Sequence, residues 1–189
     1  MATKTIEVSA AARRKTALAF IESFSTLSAT DMLSVRTPSC MHTFAPRSLG
    51  ILAHSPMSNE QFAAHRSHFD GVLSSFPFQV KEMIDNPSAN QVLIWTTASP
   101  VWVAAVTSDI DKDTDWSYTG EYMFLLTFED GESGEDEGGR FKRIERIVEF
   151  LDSKGTDRLR RLMQTASNNL RAMKERNQNA QAAGPSSES

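Results

Sequence analysis

The chain has 189 residues, a formal net charge of -4, 40% hydrophobic and 23% charged residues, and a single cysteine, Cys40. That length and balance fit one soluble globular domain with a sizeable core. The weak negative charge, with no basic face interleaved with aromatics, argues against a nucleic-acid partner. One cysteine excludes an intramolecular disulfide framework, no window reaches the roughly 18 apolar residues of a membrane span, and the N-terminus lacks a secretory hydrophobic region. A cytoplasmic protein is expected, with Arg13-Arg14-Lys15 and Arg158, Arg160 and Arg161 on solvated helix faces.

Residues 1 to 7 read as frayed. From Val8 to Leu27, Ala11, Leu18, Ile21, Phe24 and Leu27 recur at helical spacing, with Ser9 a possible cap. Thr30 or Asp31 can cap a short second helix that Thr37-Pro38 ends, because the residue before proline disfavours the α region. Ser39 to Pro46 reads as a short strand entering a loop. A third helix is expected from Gln61 to Ser74, with Phe62, His65, Phe69, Val72 and Leu73 on its inner side. After Pro77 the period changes to two. Phe76 to Asp85 alternates as a strand with Phe78, Val80 and Ile84 inward, and Val92 to Val106 is a long β-rich run interrupted at Pro100. Residues 108 to 115 and the glycine-acid stretch 130 to 139 read as polar loops; the latter does not follow EF-hand spacing. Asp152-Ser153 or Thr156-Asp157 caps a last helix bearing Leu159, Leu162, Met163 and Leu170. A single domain over 1-175 and a disordered polar tail over 176-189 are expected.

The most informative stretch runs from Trp116 to Asp152, two β-rich segments joined as a hairpin. Alternation places Trp116, Tyr118, Gly120, Tyr122, Phe124, Leu126 and Phe128 on one face of the first strand. On the second, Arg143, Glu145, Ile147, Glu149 and Leu151 share a face, opposite Ile144, Val148 and Phe150. Two tyrosine hydroxyls therefore sit four residues apart in an aromatic row, and Glu149 lies between Ile147 and Leu151. A carboxylate in apolar company has a raised pKa, the condition for proton transfer near neutral pH. The plainer alternative makes the tyrosines core residues with a polar handle and Glu149 a rim residue. His65 and His68 have no third partner for a metal and read as a helix face, and Asp152 reads as a helix cap.

The element order makes an α+β plan: a strongly curved antiparallel sheet with N-terminal helices enclosing a cone-shaped pocket. Together with Val35 to His42, Pro46 to Gly50, Phe76 to Val80, Trp116 to Tyr122 and Ile147 to Ser153, it resembles the NTF2-like superfamily, the SnoaL-like or ketosteroid-isomerase-like fold. Within it the motifs are most similar to fungal SnoaL-like isomerases and cyclases of secondary metabolism, notably brevianamide-type semipinacolases and meroterpenoid isomerases. The resemblance spans about residues 13 to 170 and departs from the family in the segments 107 to 115 and 130 to 139 and in the polar tail. It implies Arg36, Tyr118, Tyr122 and Glu149 as the catalytic set; His42, near the chain's entry to the pocket, and Trp102, Trp116 and Phe69 are expected as substrate contacts. It also implies a homodimer, and a cofactor-free isomerase or cyclase using general acid–base chemistry on a polycyclic small molecule, without a metal. A semipinacol-type rearrangement fits it. Two rivals stand beside it: a non-catalytic binding module of the same fold, and a dehydratase resembling scytalone dehydratase, which would need a histidine–aspartate pair working with the tyrosines.

Overall fold

The computed structural model describes residues 2–107, 113–130, 134–136 and 139–182. Helix α1 (Ala2–Thr26) begins at Ala2 rather than Val8. Its buried stripe is Ala12, Arg13, Thr16, Ala17, Phe20, Ile21, Ser23 and Phe24, while Leu18 is exposed. The expected stripe was therefore one position off in the first turns, because the inner face there is made of small and polar residues. Arg13 is not on a solvated face. It is buried and donates from Nε and Nη2 to both carboxylate oxygens of Asp85, each at 2.7 Å, tying the helix to the sheet.

Helix α2 (Ala29–Ser34) is capped by Ser28, whose hydroxyl accepts from the Asp31 N–H. It ends one residue before β1 (Arg36–Ala45), a ten-residue strand that starts earlier and runs longer than expected. Two 3-10 turns over Arg47–Ala53 lead to α3 (Asn59–Arg66), where Ser58 and Gln61 form a capping box. The third helix stops at Arg66 instead of Ser74. A 3-10 turn, Ser67–Phe69, and the short strand β2 (Leu73–Ser75) take its last part.

Strands β3 (Phe78–Asn86), β4 (Gln91–Ala98), β6 (Gly120–Phe128) and β9 (Ile144–Leu151) pair antiparallel in sequence neighbours' order. Beyond Ala98 the β-rich run breaks at Pro100 into β5 (Val101–Trp102), which pairs with β2, and the one-turn α4 (Ala104–Thr107). Strand β1 then joins the far edge parallel to β9, so the five-stranded sheet, ordered β1-β9-β6-β4-β3, is mixed rather than wholly antiparallel. Within the glycine-acid stretch, β7 (Gly134–Asp136) and β8 (Gly139–Phe141) pair as a small hairpin; 131–133 and 137–138 lie outside the described residues, as do 108–112.

Two bulges explain where simple alternation failed. One in β3, between Val80 and Glu82, changes the phase so that Met83 opposes Ile94 and packs inward while Ile84 is exposed. The other, between Thr127 and Phe128 against β9, leaves Ile144 buried and Glu145 exposed, although Ile147, Glu149 and Leu151 keep the inner face as expected. That inner face, with Val92, Ile94, Phe124 and Leu126, meets Phe20 and Phe24 of α1 in one hydrophobic core. Helix α5 (Ser153–Ala182) closes the open side; it continues past Gln178, and 183–189 lie outside the described residues. Among the described residues no helix is long and apolar enough to cross a membrane.

Candidate active site

Glu149 lies near the end of β9, paired with Phe44 of β1 on one side and Phe124 of β6 on the other. The pleat turns all three strands' inner side chains into the cone. His42, two residues before Phe44 and so on the same face, brings Nε2 within 2.9 Å of Glu149 Oε2. His42 is wholly buried, stacked on Phe62 of α3 at 4.6 Å and 12° and lying 4.7 Å from Phe44. Burial raises the Glu149 carboxyl to about 8, against the opposing pull of His65 and Arg36. Burial, helped by the Arg36 charge, pushes His42 well below its ordinary value. Both shifts favour uncharged partners, so near neutral pH this is a hydrogen bond between neutral groups rather than an ion pair.

Arg36, the first residue of β1, sits behind this pair. Its Nε donates to the Met32 carbonyl at 3.0 Å, at the C-terminal end of α2, where a cation complements the helix dipole. Its guanidinium carbon stands 4.0 Å from the Phe62 ring centre and 5.5 Å from that of Phe20, while Nη1 and Nη2 have no hydrogen-bond partner among the described residues. Burial brings Arg36 down to about 10, still cationic at neutral pH. It is not among the pocket-lining residues; its charge acts on Glu149 and His42 from behind Phe62.

On β6, Tyr122 pairs with Leu151, which makes Glu149 its diagonal neighbour on the same face. Tyr118 precedes the strand in irregular backbone and folds back so that its hydroxyl is 3.0 Å from that of Tyr122. Burial raises both phenols, so they remain neutral donors. Two hydroxyls sharing one hydrogen bond leave one proton free to donate elsewhere. The fold-back needs Gly120, because a Cβ there would collide with the Tyr118 hydroxyl and crowd the Tyr122 ring. Gly120→Ala is expected to destabilise the protein by about 1–3 kcal/mol, the usual cost of overpacking. It should also separate the two hydroxyls, which thermal melts and the Tyr118 ring position in a variant structure would report. Asp152 caps α5, accepting from the Lys154 and Gly155 N–H groups at 3.1 and 3.0 Å.

These groups border a cavity of about 850 Å³ between the sheet, α3 and α5. Phe24, Phe44, Phe62, Phe69, Phe76 and Phe78 line it, with Leu49, Met57, Leu151, Leu159 and Met163. Glu149 and Tyr122 are the polar groups it meets on the sheet, with His65, Arg66, His68, Thr156, Arg160, Gln164 and Ser167 on the helical side. Phe69 is thus on the wall. His42 is behind Glu149 rather than on the wall, and Tyr118 reaches the pocket only through Tyr122. Trp102 and Trp116 pack edge-on to each other at 5.1 Å, with Trp102 Nε1 donating to the Trp116 carbonyl, and are not pocket-lining. The Trp116–Tyr118 segment is not strand, so alternation did not carry back from Gly120 to the tryptophan.

Sequence reasoning placed His65 on the inner side of the third helix without giving it a pocket role, and read Arg160 as solvated. Both line the cavity. Burial lowers His65 despite the pull of Glu149, so it too is neutral near pH 7. The 3–4 spacing of Phe62, His65 and Phe69 was the available signal for it. Nothing local marks Arg160, whose Nη2 reaches the Leu49 carbonyl across 111 positions of sequence. Among the described residues no group of three or more His, Cys, Asp or Glu side chains is arranged to hold a metal ion.

A curved, unclosed sheet wrapped by helices around a polar-bottomed apolar cone is the NTF2-like fold, as the motif resemblance implied. No family model matches the sequence, and no curated protein matches it. Among solved structures, the chain is similar to the BvnE pinacolase from Penicillium brevicompactum, with 22% identity and a TM-score of 0.60 over 79% of this chain and 89% of that one. It is similar to AusH from Aspergillus nidulans at 24% identity and a TM-score of 0.56, covering 74% and 83%. An NTF2-like protein from Burkholderia pseudomallei matches at 15% identity and a TM-score of 0.55, covering 77% and 95%. At these identities the likeness establishes the fold.

Proposed function

We propose that the protein is a cofactor-independent isomerase or cyclase acting by general acid–base catalysis on a polycyclic intermediate of fungal secondary metabolism, an indole alkaloid or a meroterpenoid or polyketide. A semipinacol-type rearrangement is the reaction it fits best. The observation that carries the reading is Glu149: a buried carboxyl with its proton affinity raised to near neutral pH, on the wall of a large apolar cavity beside a tyrosine pair. Strongly perturbed carboxyls in a cleft cluster at functional sites. The likeness to a pinacolase, itself limited to the fold, is consistent with it.

In such a rearrangement a carbinol O–H loses its proton as a substituent migrates, with its electron pair, to the neighbouring electrophilic carbon. The carbinol becomes a carbonyl, and the group that accepted electrons gains a proton. Glu149 matches both proton transfers, because a pKa near 8 leaves both its forms accessible at neutral pH. With Tyr118 donating to Tyr122, the Tyr122 hydroxyl keeps a proton for a developing alkoxide or enolate, and the Arg36 charge favours any negative charge that appears at Glu149. The phenylalanine walls hold the ring system in one conformation and keep water out.

A dehydratase is the second reading, and one observation favours it: His42 and Glu149 form a histidine–acid pair next to two tyrosines. Product mass separates the two. Incubation with candidate polycyclic intermediates is expected to give a product of unchanged mass; a product lighter by one water would replace isomerisation with dehydration. A pocket that binds these compounds but never converts them would make the protein a binding module.

The proposal includes a homodimer formed through the outer sheet face. Ile84, Trp95, Met123 and Phe150 are large apolar side chains 37–49% exposed on that face, a cluster that soluble monomers rarely leave open. Phe150→Lys is expected to turn a dimer into a monomer in sedimentation velocity. An unchanged sedimentation coefficient would remove this face from the interface.

A further inference from the structure

The His42–Glu149 pair has one unusual feature: His42 Nδ1 is buried and, among the described residues, has no hydrogen-bond partner. The ring is held between Phe62 and Phe44, and its surroundings keep it neutral. A neutral imidazole carries one N–H and one bare nitrogen. An orphaned buried N–H is rarer in proteins than an under-satisfied acceptor. The hydrogen therefore belongs on Nε2, where it has an acceptor at 2.9 Å, and the bare nitrogen is Nδ1.

This assignment fixes the carboxyl as well. If Nε2–H donates to Oε2, then Oε2 is an acceptor, and a proton carried by Glu149 is favoured on Oε1, because a carbonyl oxygen accepts better than a hydroxyl one. With Oε2 held by His42, Oε1 is the oxygen left for a ligand in the pocket that Glu149 lines. We propose that His42 is a positioning residue: its Nε2–H reserves Glu149 Oε2, so that the exchangeable proton is held on Oε1, facing the substrate. This inference rests on the reading of Glu149 as the acid–base group.

For His42 to pass a proton on, Nδ1 would need a partner to receive it, and among the described residues it has none. The other groups acting on Glu149 are His65 from α3, Arg36 from β1 and Tyr122 from β6. Burial, and after it the Arg36 charge, opposes protonation of His42, which favours a neutral imidazole that donates to Glu149.

The test is NMR, which needs no substrate. In ¹⁵N-labelled wild-type protein, long-range proton–nitrogen correlations of His42 are expected to show a protonated Nε2 and a bare Nδ1, unchanged while the ¹³C-labelled Glu149 carboxyl titrates. His42→Phe, which removes the donor to the charged form, is expected to raise the Glu149 midpoint by about one pH unit, a tenfold gain in proton affinity. His42→Gln, which keeps an N–H donor, should return the midpoint toward wild type. A proton on Nδ1, both nitrogens protonated at neutral pH, or an unmoved midpoint in folded His42→Phe would overturn the proposal. The wild-type spectrum decides it even if that variant fails to fold. Failure of the catalytic reading shows separately, as turnover that survives Glu149→Gln while His42 still displays the Nε2–H form.

Discussion

Glu149→Gln is expected to lower turnover by about 10²–10⁴-fold, the usual contribution of a positioned proton-transfer group. Glutamine has the shape of the carboxyl, and its amide oxygen can still accept from His42 Nε2, so the packing against Phe44 and Phe124 is kept. What it cannot do is take or give a proton at the pocket. The loss should fall on kcat rather than KM, because the phenylalanine walls that bind the ring system are untouched. Steady-state kinetics on the folded variant measures this, and equal turnover with an equal product ratio would remove Glu149 from the chemistry.

The same substitution is expected to change stability with pH. The folded state holds the Glu149 proton up to about pH 8, whereas an unfolded chain releases it near 4.5. A raised carboxyl contributes its stability fully below the unfolded value and loses it as pH rises through the folded one. Over that window the wild-type fold gives up on the order of 5 kcal/mol, taking about 1.36 kcal/mol per pKa unit. Glutamine has no proton to lose. Thermal melts should therefore show Glu149→Gln gaining on wild type between pH 5 and pH 9, with the variant ahead at the upper end. A difference that stays constant with pH would mean that the carboxyl is not perturbed as described.

Much of this arrangement was readable because it depends on strand alternation over short distances. Tyr122 with Phe124, and Ile147, Glu149 and Leu151, keep their faces because β6 and β9 are regular where they run beside each other. Reading failed where the backbone leaves that period. Bulges reversed Ile84 and Ile144, and the irregular backbone before Gly120 carried Trp116 away from the pocket. Strand β1 was underestimated because its parallel partner, β9, lies about a hundred residues along, and no local pattern reports such a pairing. Arg13 was misplaced for a similar reason: its partner Asp85 is 72 positions away. The expected substrate contact at His42 differs for the same reason: only the folded chain puts Glu149 on the cavity wall with His42 behind it.

The most direct measurement of the central claim is a crystal structure with a polycyclic substrate or product bound. The account predicts the ring system between Phe44, Phe62 and Phe76, with one ligand oxygen or nitrogen within about 2.6–3.2 Å of Glu149 Oε1 and another oxygen on the Tyr122 hydroxyl. A ligand seated elsewhere, or one filling the cavity with no polar atom near Glu149, would contradict it.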